Sequence, residues 1–351
     1  MEKAKLHAPN YMNRLFLPRL ILILLLGLMT SEVKARVYVH ITGEEGVVDY
    51  DMARILATNT LEQGHELERA LGRGWYMEPN SPSQKYTVVF KQGERCSTNP
   101  VQVATLKSTQ EEHFVGKSAL EFQIIARKEN KPGSTAAYKV ALDLNTNNLI
   151  MVEKPKDWFL GFAMKIDPVN YSLPEGTNGA VLFQQWWQGS PMHPPISLEI
   201  VNQTYAGNLG WRDADPKGNF ALAVRDVDHN PGGPYDKGQA KYFDLGPVHL
   251  GQWIRWVVCV RPDPSGKEGR VTVWMDDEKK LDLYPIVVGF NQDPAKGIKM
   301  GNKSFSVNPA VYRSNGSNTQ RIFFDEIKIA DSLEEVQLPK SPSQSGSQGN
   351  R

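Results

Sequence analysis

One short segment carries most of the residues whose chemistry suggests a function. Residues 180–200 read AVLFQQWWQGSPMHPPISLEI, with paired glutamines followed by paired tryptophans. Because side chains alternate along a strand, Gln185 and Trp187 share one face and Gln184 and Trp186 share the other. An indole stacks on the apolar C–H face of a sugar, and an amide hydrogen-bonds hydroxyl or carboxylate oxygens. The pattern predicts a sugar-binding sheet face, and it leaves open that Trp186 is core and Gln184 a buried amide.

Several familiar reaction centres are absent from the sequence. It contains no Gly-rich phosphate loop, no HExxH, no Gly-x-Ser-x-Gly elbow and no CxxC. It also lacks a Glu-x-Asp-x-Glu strand, the paired-carboxylate arrangement of β-jelly-roll glycoside hydrolases. The commonest hydrolytic chemistry of a secreted sandwich is therefore not indicated.

Further stretches extend the pattern toward the C terminus. GQWIRWVVCVR and GRVTVWMDD, at 251–261 and 269–277, read as a hairpin, and AVYR and RIFFDEIKIA, at 310–313 and 321–330, read as the penultimate and last strands. Taken in order with GKSALEF and WFLGFAMKID, these segments resemble the secreted β-jelly-roll polysaccharide lyases, the group that includes heparin lyase I and glucuronan lyases. The likeness runs from about Gly116 to Ser332.

The resemblance implies an eliminase rather than a hydrolase. Such an enzyme abstracts the C5 proton of a uronic acid and expels the 4-O-linked sugar, leaving an unsaturated uronate. Because charge builds up on the neighbouring carboxylate, the site must hydrogen-bond that group, supply a base and protonate the leaving oxygen. By position, the resemblance implies Gln185 as the carboxylate partner, or Gln184 if the register slips by one. It implies Tyr312 as the acid or base.

The chain departs from the family pattern at two positions. Members with Gln-x-His on this strand place the His where this chain has Trp187, so either His193 in the following loop replaces it or Tyr312 acts alone as base and acid. The Lys that heparin-lyase-like members carry four residues before the Tyr is Asn308 here. Its loss favours a carboxylated uronan, glucuronan-like or alginate-like, over a highly sulfated chain.

A phenol with a pKa of about 10 needs neighbouring cations to exchange protons near neutral pH. Arg313 is adjacent to Tyr312 but points to the other face of a regular strand. Lys117 and Lys139 are therefore the candidate cations, with solvated surface positions as the alternative. These three basic residues, together with Gln184 and Trp187, form the predicted substrate-binding set.

No cofactor is expected to be required. Related jelly rolls often bind a structural Ca²⁺, and Asp325 and Glu326 are candidate ligands, with two ordinary surface acids as the alternative.

Two other functions stay open on the same fold. One is a non-catalytic, lectin-like carbohydrate-binding protein, motivated by Trp187, and the other is a glycoside hydrolase with unfamiliar carboxylates. A monomer acting on an acidic polysaccharide is the expected working form.

The elements that must position these residues read as short strands bounded by Gly, Pro, Asn or Asp. The candidates are Tyr86–Phe90, Ala119–Arg127, Ala137–Leu144, Trp158–Ile166, Ala180–Trp187, Ile196–Val201, Phe220–Arg225, Trp253–Arg261, Arg270–Met275 and Arg321–Ile329. Their spacing favours an all-β fold, a concanavalin A-like antiparallel sandwich or β-jelly roll with long loops, over βαβ units. Residues 51–71, rich in Ala, Leu, Glu and Arg, predict one or two short helices.

The N terminus predicts secretion. Leu20–Met29 is an apolar run shorter than the about 20 residues of a membrane-spanning helix, and Val33 and Ala35 suit signal-peptide cleavage after Ala35. A membrane anchor or a buried helix is the alternative. The predicted organisation is a signal peptide at 1–35, a lyase-like domain at 36–339 and a disordered tail at 340–351.

Composition restricts the partners. The 351 residues include 40 Lys+Arg and 39 Asp+Glu, and removal of residues 1–35 leaves 35 basic and 37 acidic side chains. This balance argues against a dedicated nucleic-acid binder, and it requires positive charge to be concentrated in one groove.

Cys96 and Cys259 are either a disulfide of a secreted chain or two buried thiols. Glycosylation triplets begin at Asn170, Asn202, Asn302 and Asn315.

Overall fold

The computed structural model describes residues 37–41, 75–77, 88–92, 101–124, 138–142, 144, 146, 149–169, 171–174, 180–188, 193–225, 240–290, 303–313 and 319–340. These residues form two antiparallel sheets and two short helices. The predicted all-β jelly-roll sandwich is confirmed. The predicted signal peptide, the predicted helices at 51–71 and residues 341–351 lie outside the described residues.

The elements have the following bounds. The strands are β1 Val37–Ile41, β2 Trp75–Met77, β3 Val88–Gln92, β4 Val101–Thr109, β5 Ala119–Ile124, β6 Tyr138–Ala141, β7 Trp158–Ile166, β8 Ala180–Trp187, β9 Ile196–Val201, β10 Asn219–Arg225, β11 Ala240–Pro247, β12 Trp253–Arg261, β13 Arg270–Met275, β14 Glu278–Leu283, β15 Ser306–Arg313 and β16 Gln320–Ala330. The helices are α1 Gln203–Asn208 and α2 Leu333–Val336.

The two sheets differ in size. The larger, ten-stranded sheet has the order β14-β13-β12-β7-β16-β5-β4-β3-β2, with β1 also paired to β16. The smaller, six-stranded sheet has the order β11-β10-β9-β8-β15-β6. Each sheet therefore places one of the two last strands, β15 or β16, between strands from much earlier in the chain.

The core lies between the inner faces of the two sheets. Phe183 and Phe220 of the smaller sheet both pack against Trp256 of the larger one, with ring centroids 5.5 and 5.1 Å from it. All three rings are buried, as is Trp186. This interdigitation of aromatic side chains from facing sheets is the packing that a β-sandwich core requires.

The predicted strand bounds agree best in the centre of the sheets. The bounds of β7, β8, β9, β12 and β13 are those predicted. β10 begins one residue before its predicted start, and β16 is one residue longer than predicted at each end. The edge strands β11 and β14, with sequences AKYFDLGP and EKKLDL, were not predicted, and neither were β1, β2 and β4. Edge strands carry charged residues that suppress the apolar alternation of a buried strand. The charged residues therefore explain why the pattern missed β11 and β14.

Cys259 is a free thiol buried in β12. Burial, followed by the negative charge of Asp157, raises the pKa of this thiol well above its ordinary range. Of the two sequence-based alternatives, the structure gives the buried thiol for Cys259. Cys96 lies outside the described residues.

In the described part of the chain, neither helix has the length and apolar character needed to cross a bilayer.

Asn202, which begins one of the glycosylation triplets, caps α1. Its Oδ1 accepts a hydrogen bond from the backbone N–H of Tyr205 at 2.7 Å, and its Nδ2 donates to the carbonyl of Pro174 at 2.6 Å.

Candidate active site

The face of the smaller sheet that turns away from the core is polar. In β9, Ile196, Leu198 and Ile200 belong to the core cluster, so Ser197 and Glu199 lie on the opposite face. We call this face, marked by Gln185, Ser197, Glu199, Asn308 and Tyr312, the polar face. The register defines it, because Ser197 lies directly opposite Gln185, and Gln185 lies directly opposite Asn308.

Gln185 is held in place by its neighbour on β15. Its amide Nε2 donates to Oδ1 of Asn308 at 3.1 Å, and Ser306 Oγ lies 3.4 Å from the same oxygen. Gln185 is 5% exposed. An amide nitrogen has two N–H donors, so this bond fixes the side chain and leaves the second donor for another acceptor. Asn308, at the position of the family Lys, therefore orients Gln185.

Tyr312 lies on the strand next to Gln185. It pairs with Leu182 of β8 on one side and with Lys139 of β6 on the other. Its side chain is 39% exposed. The rows of Tyr312 and Gln185 are separated by two residue steps along β9, three along β8 and four along β15. This is about 7–13 Å at the rise of a strand, which leaves room for a sugar ring between the two side chains.

Trp187 and His193 lie at the Gln185 end of the polar face. Trp187 is half-buried and pairs with Ser306, whereas His193 is exposed in the loop between β8 and β9. Tyr312 pairs further back along β8, at Leu182. The structure thus brings Gln185, Trp187 and Tyr312 to one face and places His193 at its rim.

Gln184 belongs to the other face. A β-bulge between Leu182 and Gln184 changes the alternation, so Gln184 lies opposite Leu198 and Pro309 and is fully buried. Neither its Oε1 nor its Nε2 has a hydrogen-bond partner among the described residues. The predicted contact of Gln184 with substrate is therefore corrected to a place in the core. Trp186 is also fully buried and belongs to the hydrophobic core, which was the alternative to a sugar-binding role for this residue.

The predicted cations are divided between the two sheets. Lys117 is exposed in the loop between β4 and β5 of the larger sheet, where the backbone N–H groups of Phe114 and Val115 donate to Asp325. Lys117 thus lies on the other sheet from Gln185 and Tyr312, and its contact with substrate stays a prediction. Lys139 occupies the position opposite Tyr312, and Arg313 the position opposite Val181. Their side chains lie outside the described part of the chain.

A second polar cluster on the polar face was missed by the sequence analysis. Glu199 Oε1 accepts from Ser197 Oγ at 2.6 Å and from Arg225 Nη2 at 3.0 Å, and Oε2 accepts from the Tyr242 hydroxyl at 3.3 Å. Burial and the charge of Glu199 raise the pKa of Tyr242 well above its ordinary range. The alternation of Ser and Glu in ISLEI, between buried apolar residues, was the sequence pattern that could have indicated this cluster.

The candidate calcium ligands are engaged elsewhere. Asp325 accepts three backbone N–H bonds, from Phe114, Val115 and Glu326, and Glu326 bonds His40 at 3.0 Å and Lys328 at 3.2 Å. Among the described residues, no group of three or more His, Cys, Asp or Glu side chains is arranged to hold a metal ion. The two carboxylates therefore act as hydrogen-bond acceptors at a bulge of β16.

Comparison with known proteins gives the polar face its context. A family model described as polysaccharide lyase matches residues 88–328, well over half of the chain. The chain belongs to the polysaccharide lyase family. The matched range contains the whole polar face of this polysaccharide lyase. The search of curated protein sequences found no match to this chain.

Solved structures similar to this polysaccharide lyase include three lyases. The endo-β-1,4-glucuronan lyase from the fungus Trichoderma reesei is 15% identical, with 71% of this chain and 92% of that chain covered and a TM-score of 0.48. The alginate lyase AlyC3 is 14% identical, with 61% and 75% covered and a TM-score of 0.40. The alginate lyase from Klebsiella pneumoniae is 13% identical, with 63% and 84% covered and a TM-score of 0.35.

Proposed function

We propose that this polysaccharide lyase is secreted and cleaves a uronic-acid-containing polysaccharide, glucuronan-like or alginate-like, by β-elimination. One observation carries the proposal. Gln185 and Tyr312 lie on adjacent strands and share one face, spaced for a single sugar ring. An amide that binds the carboxylate and a phenol that exchanges protons are the two groups that the elimination requires.

In the proposed reaction, the second amide N–H of Gln185 binds the carboxylate of the reacting uronate. This bond stabilises the charge that develops on the carboxylate when the C5–H bond breaks. Tyr312, as the phenolate, accepts the C5 proton and returns it to the 4-O oxygen as the C4–O bond breaks and the C4–C5 double bond forms. Lys139, at the position opposite Tyr312, is the cation proposed to favour the phenolate.

Tyr242 is a second tyrosine whose hydroxyl reaches the polar face, and its environment argues against a role as the base. Its hydroxyl donates to Glu199, and both burial and that carboxylate raise its pKa. A proton held this firmly is not released near neutral pH. The proton-transfer role is therefore assigned to Tyr312.

The charges of the polar face favour a carboxylated over a sulfated substrate. Asn308, a neutral residue, stands next to Gln185, and the positive charge of Arg225 is balanced by Glu199 at 3.0 Å. A polysulfated chain would call for a surplus of cations that these residues do not provide. A uronan with one carboxylate per sugar matches them better.

The proposal is tested by incubating the purified protein with glucuronan, alginate, hyaluronan and pectate. We expect ultraviolet absorbance from unsaturated ends with glucuronan or alginate. Reducing ends without that absorbance would indicate a hydrolase instead. Sugar binding without turnover, unchanged in Tyr312→Phe, would indicate a lectin.

Mass spectrometry of protein secreted by a eukaryotic host tests the cleavage after Ala35.

A further inference from the structure

Arg225 presents a hydrogen-bonding edge that the residues described in the structure do not use. Its Nη1 donates to the carbonyl of Pro194 at 2.9 Å and to Ser197 Oγ at 2.8 Å, and its Nη2 donates to Glu199 Oε1 at 3.0 Å. A guanidinium has five N–H donors, and these bonds occupy three. Within the described part of the chain, the Nε–H and the second Nη2–H make no hydrogen bond.

The unused pair is the edge that binds carboxylates in a bidentate manner. The same molecule shows this use in β12, where Arg261 donates from Nε and Nη2 to the two carboxylate oxygens of Asp157, both at 2.8 Å. Two parallel N–H bonds to one carboxylate combine charge and geometric fit, which a lysine cannot reproduce. The corresponding edge of Arg225 has the donor geometry to bind a carboxylate in the same way.

The position of Arg225 relates this edge to the reacting sugar. Ser197, which bonds the guanidinium, lies directly opposite Gln185 on the polar face. Arg225 on β10 is thus across β9 from Gln185, while Tyr312 on β15 is on the other side of β8. The guanidinium is beyond the sugar ring that fits between Gln185 and Tyr312, and its side chain is 13% exposed.

We propose that Arg225 binds the carboxylate of a second uronate, next to the one that reacts, through its Nε and Nη2 edge. The inference rests on the proposed function and extends it to a second recognition site. Glu199 is the positioning residue, because it and Ser197 hold the opposite edge of the guanidinium. The Tyr242 hydroxyl fixes Glu199 in turn.

The closing experiment measures binding in a Tyr312→Phe background, where turnover does not interfere. Calorimetry with a glucuronan tetrasaccharide, and in parallel an alginate tetrasaccharide, compares this background with added Arg225→Lys. Lysine keeps the charge but loses the bidentate edge, so we expect the Kd of the better-bound tetrasaccharide to rise about tenfold. The carboxyl-reduced, neutral tetrasaccharide is expected to bind the two proteins equally.

The matched control is Arg261→Lys, the same exchange at a bidentate arginine of the larger sheet, with Kd expected to stay within about twofold of the background. The double variant Glu199→Gln/Arg225→Gln removes both charges together and leaves no unpaired buried charge, so it is expected to fold. It is also expected to lose affinity for the acidic tetrasaccharide. Thermal unfolding checks all variants.

The outcomes separate the two proposals. Unchanged affinity of the Arg225→Lys protein, or an equal loss for the acidic and the neutral tetrasaccharide, overturns the second site. Tight binding that depends on Arg225, combined with no unsaturated product from the wild type, overturns the elimination alone. If neither acidic tetrasaccharide binds, both proposals fail.

Discussion

Two neighbouring glutamines of β8 have opposite environments, and their substitution should separate function from stability. We expect Gln185→Leu to lower the elimination rate by about 10²–10³, because the carboxylate loses its hydrogen-bond donor. Gln184→Leu should retain activity and raise the free energy of unfolding by about 1–2 kcal/mol, because it replaces a buried amide that has no partner in the described part of the chain. Initial rates from ultraviolet absorbance and urea denaturation measure the two effects.

The reverse pattern, with activity lost in Gln184→Leu and kept in Gln185→Leu, would show that the bulge in β8 is placed one residue away. Circular dichroism of both variants establishes that each is folded. The pair is matched in residue type, in strand and in the substituting side chain.

Tyr312→Phe removes one hydroxyl from the polar face and should lower the elimination rate by about 10²–10⁴ through loss of proton transfer. The side chain is 39% exposed, so we expect the midpoint of thermal unfolding to change little. The matched control is Tyr284→Phe, at a residue that is 56% exposed beside the edge of the larger sheet. The rate of this control should equal that of the wild type, and a comparable loss in both variants would remove the role of Tyr312.

The variant His193→Ala tests whether the loop histidine takes part in the elimination. Because His193 lies at the Gln185 end of the polar face and Tyr312 pairs further back along β8, we expect its loss to reduce the rate by less than about tenfold. A loss as large as that of Tyr312→Phe, with a changed pH profile of kcat, would assign the base to His193.

At the residue scale, strand alternation was enough to group Gln185 with Trp187 before the structure was known. It could not reveal the bulge that turns Gln184 inward, since no residue type marks it. Nor could it bring Arg225 to Glu199, because pairing between β9 and β10 depends on contacts between distant parts of the chain.

At the scale of elements, the attachment of α2 to the larger sheet depends on a glycine. A Cβ added to Gly161 of β7 would collide with the carbonyl oxygen of Val336 and lie 2.9 Å from its Cβ. We expect Gly161→Ala to lower the free energy of unfolding by about 1–3 kcal/mol, as overpacking does. Chemical denaturation measures the change.

Gly207→Ala is the matched control for that substitution. Gly207 lies in α1, and no atom lies within 4 Å of a Cβ built on it. Alanine there should raise the free energy of unfolding by about 0.5–1 kcal/mol, because it restricts the unfolded chain without strain. Equal effects of the two substitutions would contradict the proposed contact with α2.

Elements buried in the middle of a sheet could be predicted, because their apolar runs end at turn residues. β7 and β12 had their bounds from sequence alone. The edge strand β14 could not be found, because four of its six residues are charged and its pairing comes from β13. The identity of each strand's neighbours also lay beyond the sequence, since long connections leave the order open.

For the whole molecule, the acid limb of stability should depend on Glu326. Burial disfavours its charge, but the hydrogen bonds and charges of His40 and Lys328 outweigh burial and hold its pKa below the ordinary value. The folded chain thus binds this proton more weakly than the unfolded chain. The resulting stability is present above the unfolded pKa of about 4.3 and is lost as the pH falls through the lower folded pKa.

We therefore expect Glu326→Gln to be less stable than the wild type at neutral pH and to approach it in acid. Glutamine keeps the size of the side chain at this position, where the backbone has a φ of 51°. Urea denaturation from pH 7 down to about pH 3 measures the difference. Parallel stability curves would show that the contacts with His40 and Lys328 do not favour the ionised carboxylate.

The strand order has a consequence for synthesis. β15 lies between β8 and β6, and β16 lies between β7 and β5, so the last strands to be translated complete the interior of both sheets. In a nascent chain that ends before Ser306, the edges of β5, β6, β7 and β8 that pair with β15 and β16 remain open. Translation must therefore pass Arg313 before the smaller sheet can close and Ala330 before the larger one can, and a polypeptide released earlier is exposed to aggregation and proteolysis.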